Sequence, residues 1–417
     1  MNGILRGLRV IEGSAFIAAP SAGMTLAQMG AEVIRFDPLG GGLDYRRWPV
    51  TESGESLYWA GLNKGKKSFA VDIRNPRGRE LLTQLICGPG ENCGIFLTNF
   101  PTSGWMSYDN LKAQREDLIM LNIKGNRDGT SEVDYTVNPA TGFPNLTGPA
   151  GADAPVNHVM PAWDIATGLA AVNGILAADR HRRMTGEGQF ISLALTDMAF
   201  ATIGTLGFIG ETQINGSERP ATGNDLYGAF GRDFATRDGR RVMIVAITGR
   251  QWPALVDTVG IADGVREIEA RRGLDMKREG DRFQATEEIA ALLAPWCASK
   301  DFADLAATLT AGGVSWGPYQ SVAQALAEDW RCSTKNPVFE EVEQPGIGRY
   351  LTPGSPLDFG AAPRETVQPA PGLGQHTDQI LSDILGLSDG EIANLHDEGI
   401  VGGGGFNGSL QHTMKSC

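Results

Sequence analysis

At 417 residues, 41% of them hydrophobic, the chain exceeds one ordinary core and holds material for at least two domains. Its formal net charge of −13 argues against a nucleic-acid surface, which needs concentrated positive charge. The stretch MNGILRGLRVIEG has no long apolar run, and no segment approaches the roughly 20 apolar residues that cross a bilayer, so the expected setting is cytoplasmic, with neither membrane nor nucleic acid as partner.

In chain order, strands are predicted at residues 8–12, 32–36, 94–98 and 119–123, with helices at 20–29 and 77–85. This alternation predicts an α/β domain with a parallel sheet, whose ligands sit beyond the carboxyl ends of the strands. Phe16, Ile17 and Ala18 fall after the first strand, Arg35 at the second, and Asn99 and Phe100 after the third. Gly40-Gly41-Gly42 lacks the GxGxxG spacing of a dinucleotide site, and no GxxxxGK[ST] phosphate loop occurs.

Residues 161–199, PAWDIATGLAAVNGILAADRHRRMTGEGQFISLALTDMA, are the most informative part of the chain. Ile165, Leu169, Val172, Ile175 and Leu176 recur at helical spacing, which predicts a helix with Asp164 near its N-cap, where free N–H groups and the helix dipole favour an anion. A carboxylate there is either a plain cap or a nucleophile whose oxyanions those N–H groups would serve. Gly186 and Gly188 predict a turn, and residues 190–195 a buried strand.

Beyond residue 200 the composition shifts. Residues 225–234 lead into ATRDGRRVMIVAI, a hairpin signal with Asp238-Gly239 at the turn, and 251–259 and 285–300 read as helices. The division expected is a large domain over 1–200, a linker over 201–224 and a small α+β domain over 225–320. Seven prolines between Pro337 and Pro371 predict an extended connection over 321–372. A helical part follows over 373–401, and GGGGFNGSLQHTMKSC reads as a flexible tail over 402–417. The five cysteines are scattered and odd in number, which fits reduced thiols rather than a disulfide framework, and no metal site is expected.

Asp164, Thr167 and Gly168, the RMTGEGQ turn at 183–189, Asp197 and the LGQHTDQILSDILGLSDGEIANLHDEGIV segment together resemble the family III CoA transferases. The resemblance implies a large Rossmann-like domain and a smaller α+β domain, with the C-terminal helical part returning to the large one in an interlocked homodimer. It implies Asp164 as the catalytic nucleophile and Phe16, Ile17, Ala18, Arg35, Asn99 and Phe100 along the CoA groove. Lys66 and Lys67 correspond to the basic segment near the phosphates, with a solvated turn as the alternative. Coenzyme A would be part of the substrate, and no tightly bound cofactor is expected. Pro38 departs from the family, standing where a relative has an arginine at the nucleotide, and the glycine-rich loop over its aspartate has no clear counterpart.

The racemases of the same family pair this aspartate with a histidine, but Val133 occupies that position here, so the two-base proton transfer lacks its second group. A narrower resemblance, carried by EGSAFIAAP, FDPLGGGLDYRRWP, LTNFP, DYTVNP, PAWDIATG and LYGAFGRDF, implies as substrate the CoA thioester of a branched, unsaturated C4 dicarboxylic acid. CoA would move from its C1 to its C4 carboxyl, a step of glyoxylate assimilation. The substrate's free carboxylate calls for a cation, for which Arg46 or Arg47 is available, a surface salt bridge being the alternative use of that pair. An intermolecular CoA transferase and a noncatalytic CoA-thioester binding protein are the other readings.

Overall fold

The computed structural model describes residues 3–403. Twelve strands occur among them: β1 (Arg9–Gly13), β2 (Glu32–Asp37), β3 (Lys67–Val71), β4 (Ile95–Thr98), β5 (Ile119–Lys124), β6 (Gln189–Ala194), β7 (Phe230–Ala235), β8 (Arg241–Ala246), β9 (Ser315–Tyr319), β10 (Phe339–Gln344), β11 (Gly348–Pro353) and β12 (Val401–Gly402). Seven form one sheet in the order β12-β3-β2-β1-β4-β5-β6, parallel throughout except for the antiparallel edge strand β12. The expected parallel α/β sheet is therefore present, with β3 added at the segment read as a charged turn.

The chain divides into two compact units. Among the described residues the larger comprises 3–137, 160–206 and 330–403, and the smaller 138–159 and 207–329. In the larger, β1, β2 and β4 bury nearly every side chain, as strands covered on both faces must. Ile11, Ile34, Phe36, Phe69 and Phe96 form its centre, each contributing about 2 kcal/mol by burial. β6 closes the far edge. Its alternating exposure, with Phe190 41% exposed, corrects the expectation of a buried strand, because an edge strand is covered on one face only.

The smaller unit carries the antiparallel sheet β7-β8-β9, with Phe230, Val242, Ile244, Trp252, Leu255 and Ile289 at its core. Asp238-Gly239 forms the β7–β8 turn, where Gly239 supplies the positive φ of 80°. Two segments differ from their expected character. The 201–224 stretch holds the helix Phe208–Asn215, and the 321–372 stretch holds the helix Val322–Glu328 and the β10–β11 hairpin. The prolines do not prevent pairing, because Pro345 lies in the hairpin turn and Pro353 ends β11.

Residues 373–401 pack on the larger unit. The Gly374 amide donates to Ser68 Oγ at 2.9 Å, the Ala70 amide to Thr377 Oγ1 at 3.1 Å, and the Asp72 amide to the Ile400 carbonyl at 2.8 Å. Of the expected tail, Gly402 belongs to β12, and 404–417 lie outside the described residues. Among the described residues no helix is long and apolar enough to cross a membrane. Cys87, Cys93, Cys297 and Cys332 are unpaired thiols.

Candidate active site

The helix Ala162–Thr185 places Asp164. Small residues let it lie close against the first helix, Ala18–Gln28: a Cβ on Gly168 would stand 2.2 Å from Ser21 Oγ and 2.8 Å from the Ala18 carbonyl, and Thr167 is fully buried. Two residues of the Asp-x-x-Thr-Gly pattern thus serve packing. The helix ends at Gly186, in the left-handed conformation with φ 80°, with Arg182 and Arg183 in its last turn.

Asp164 is not the cap. Pro161 holds that position and offers no side-chain bond, so Asp164 is the third residue of the helix, in its first turn. The cap comes from Asp134, whose Oδ2 accepts the amides of Trp163 at 2.8 Å and Asp164 at 3.1 Å. The Ala162 amide bonds the Met160 carbonyl and the Ile165 amide that of Pro161. The first-turn N–H groups expected to serve an oxyanion are therefore already engaged.

Asp164 itself is part-buried, and among the described residues no group donates a hydrogen bond to its carboxylate. Burial pushes its carboxyl up to about 7, the negative Asp134 adds to the rise, and Arg47 opposes it. Of the arginine pair the structure brings Arg47 to the site. Its guanidinium lies 5.3 Å from the ring centroid of Phe16 and 5.3 Å from that of Tyr58, with no carboxylate paired to it. Both arginines are exposed, and Arg46 makes no such ring contact among the described residues.

Phe16 has φ 68°, the one non-glycine residue with positive φ among those described, a conformation that costs about 1–3 kcal/mol. Asn99 holds the turn in place: its Oδ1 accepts the Ala15 amide at 3.0 Å and its Nδ2 donates to the Ala15 carbonyl at 2.8 Å. Ile17 and buried Ala18 open the first helix, while Phe100 packs edge-on to Phe36. Tyr58 was missed from sequence. Its hydroxyl is buried without a partner, and burial, with Asp164 and Asp44 nearby, holds it protonated up to about 12. Asp134 was missed too, although it follows the position scanned for a histidine. Val133, at that position, is 52% exposed and carries no proton to exchange.

Two expected phosphate or nucleotide contacts lie inside the protein instead. Lys66 Nζ is fully buried, donating to Glu12 Oε1 at 2.8 Å, the Pro20 carbonyl at 2.8 Å and Asn63 Oδ1 at 3.0 Å. Arg35, 1% exposed, bonds Asp37 at 3.0 Å and Asp44 at 2.7 Å and stacks 4.4 Å over the Trp59 ring. β2 carries Arg35 inward, and Lys66, just before β3, is turned inward onto its buried acceptors, so neither presents charge to a ligand. Lys67, on the opposite face of β3, stays on the rim, 2.7 Å from Glu32.

A parallel α/β unit thus sets a carboxyl with a raised pKa at a helix start, with Arg47 near enough to act on it. The chain belongs to CoA-transferase family III, whose sequence profile matches residues 5–377. It is 62% identical over 404 residues, 97% of this chain and 99% of the relative, to the 2-methylfumaryl-CoA isomerase of Chloroflexus aurantiacus. It is 28% identical to a formyl-CoA:oxalate CoA-transferase of Rhodopseudomonas palustris, with 96% and 98% of the two chains covered. Among solved structures, a CAIB/BAIF family protein from Brucella suis matches with a TM-score of 0.75 at 24% identity, covering 92% of this chain and all of that one, a likeness of fold.

Proposed function

We propose that this enzyme moves CoA between the two carboxyl groups of 2-methylfumaryl-CoA, giving 3-methylfumaryl-CoA, through an aspartyl-CoA thioester on Asp164. The observation that carries the reading is the Asp164 carboxylate, raised to about 7 and facing an arginine with no carboxylate of its own. The similarity to the Chloroflexus aurantiacus isomerase supports the substrate.

In the first half-reaction an Asp164 oxygen attacks the thioester carbonyl, the C–S bond breaks, and CoA thiolate leaves a mixed anhydride. The thiolate attacks the aspartyl carbonyl, forming the Asp164 thioester and freeing the diacid as its dianion. The diacid then attacks the aspartyl thioester with its other carboxylate, again expelling thiolate. Attack of thiolate on the substrate side of this second anhydride releases Asp164 and the regioisomer. A raised carboxyl makes a more basic nucleophile, at the cost of a smaller ionised fraction below pH 7. Arg47 holds the carboxylate not reacting, its guanidinium fixed by two rings so that little ordering remains on binding. The Tyr58 hydroxyl, protonated throughout the working range, donates to the tetrahedral oxyanion in place of the engaged helix amides. The CoA groove runs past Phe16, Ile17, Ala18, Asn99 and Phe100, with Lys67 on its rim, and the working form is an interlocked homodimer in the cytoplasm.

The test is incubation with 2-methylfumaryl-CoA plus isotopically labelled free methylfumarate. Unlabelled 3-methylfumaryl-CoA is the expected product. Label in the product would make this an intermolecular transferase, and no reaction would overturn the substrate. Light scattering after size exclusion checks the dimer.

A further inference from the structure

Lys64 lies two residues before Lys66 and is nearly as deeply buried, at 5% exposure, yet its situation is the opposite. Lys66 spends its ammonium on three oxygen acceptors, whereas Lys64 has no hydrogen bond or ion pair among the described residues. It faces a cavity of about 280 Å³ between the end of the Ala18–Gln28 helix and the 354–368 segment, all within the larger unit. That volume holds a small anion with several waters, each of which takes about 30 Å³.

We propose that this cavity is a binding site for a small oxyanion, a phosphate or a carboxylate, separate from the Asp164 site. The Lys64 side chain is buried except where its ammonium meets the cavity, and an ammonium so largely stripped of water and without counter-charge is stabilised by pairing. The wall around Lys64 is polar, lined by Gln28, Ser355, Thr366 and Gln368; the Gln28 and Gln368 amides each donate one hydrogen to a backbone carbonyl and keep a second. Glu365 is the one carboxylate lining the cavity, and it weakens anion binding without matching Lys64 as an ion pair. No lining residue belongs to the Asp164 site, so occupancy and turnover are separate readouts. Burial lowers the Lys64 ammonium to about 8, consistent with an unpaired charge.

The experiment is calorimetric titration of CoA-saturated enzyme with inorganic phosphate, and separately with free methylfumarate, alongside selenate soaks of crystals read by anomalous scattering. One phosphate per chain is expected, with a selenate peak beside Lys64. Lys64→Gln weakens phosphate about tenfold or more, the loss of one charge-assisted bond. Glu365→Gln tightens it, which keeps the test decisive if the lysine variant folds poorly. Affinity falls as pH rises from 8 to 9.5, because Lys64 loses its proton while phosphate is already mainly the dianion. Binding of methylfumarate as well would make the site a general oxyanion site, and its failure would restrict it to phosphate. Phosphate affinity unchanged in both variants, or an empty cavity in the selenate map, overturns the proposal. Neither result bears on the Asp164 chemistry.

Discussion

Two charged regions of the larger unit, built from neighbouring parts of the sequence, treat their charges in opposite ways. In the Glu12–Arg35–Lys66 network two cations meet three carboxylates, each side chain at most 1% exposed and bound to its neighbours. Around Asp164 a carboxylate has no donor, an arginine rests on aromatic rings, and a tyrosine hydroxyl has no acceptor. Charges paired with opposite charges inside the protein are committed to the fold, and charges left unpaired at the surface of a site are free for a substrate. Removing a member of the first region should cost stability, and of the second, reaction.

The sharpest break is Asp164→Asn, expected to lower turnover at least about 10,000-fold, as loss of a covalent nucleophile does, and to abolish the hydroxylamine-sensitive CoA adduct seen by mass spectrometry. Next comes Glu12→Ala, which strands Lys66 as a buried, uncompensated charge and should cost about 3–5 kcal/mol in urea unfolding. Arg47→Gln should leave unfolding within about 0.5 kcal/mol while lowering kcat/KM about 100-fold, since charge-assisted binding of one carboxylate is lost. A smaller effect concerns pH. The wild-type kcat/KM should rise as Asp164 ionises through about 7, and Asp134→Asn, which keeps a capping oxygen but removes the charge, should move that limb down by about one unit.

The smallest effect reverses the sign of the first. The Asp164 carboxyl lies above its ordinary value near 3.8, so between pH 3.8 and 7 the folded state binds the proton that the unfolded chain has lost, and stability falls as pH rises through this window. Asp164→Asn should therefore be more stable than wild type at pH 8, by about 1–2 kcal/mol, and level with it near pH 4, as read by thermal melts at both values.

The parallel sheet was readable because its strands are apolar runs set at βα spacing, and β7–β8 because Asp238-Gly239 marks a hairpin. Lys67–Val71 was hidden by the lysines at and just before its start, and the β10–β11 hairpin by prolines that tertiary pairing tolerates at its turn and end. Asp164 was singled out through its helix start and through the family resemblance carried by Thr167 and Gly168. Its exact place in the turn was not, because Asp134, 30 positions earlier, supplies the cap. Arg35 and Lys66 carried charge signals that pointed outward. Whether a basic residue faces solvent or a buried carboxylate depends on strand orientation and on partners such as Glu12 and Asp44, which no local pattern records.

The edge strand β12 has a consequence for how the chain is made. Its partner β3 ends at Val71, but Val401 and Gly402 leave the ribosome some 330 residues later. Until then the edge of a hydrophobic parallel sheet is unpaired, with Phe69 and Val71 beside it and the residues 373–401 that cover that region also still absent. The nascent protein thus spends most of its synthesis with a sticky edge. Shortening the chain before residue 401 would make that condition permanent, and such a product is expected in the aggregated fraction of a cell extract rather than as a less active enzyme.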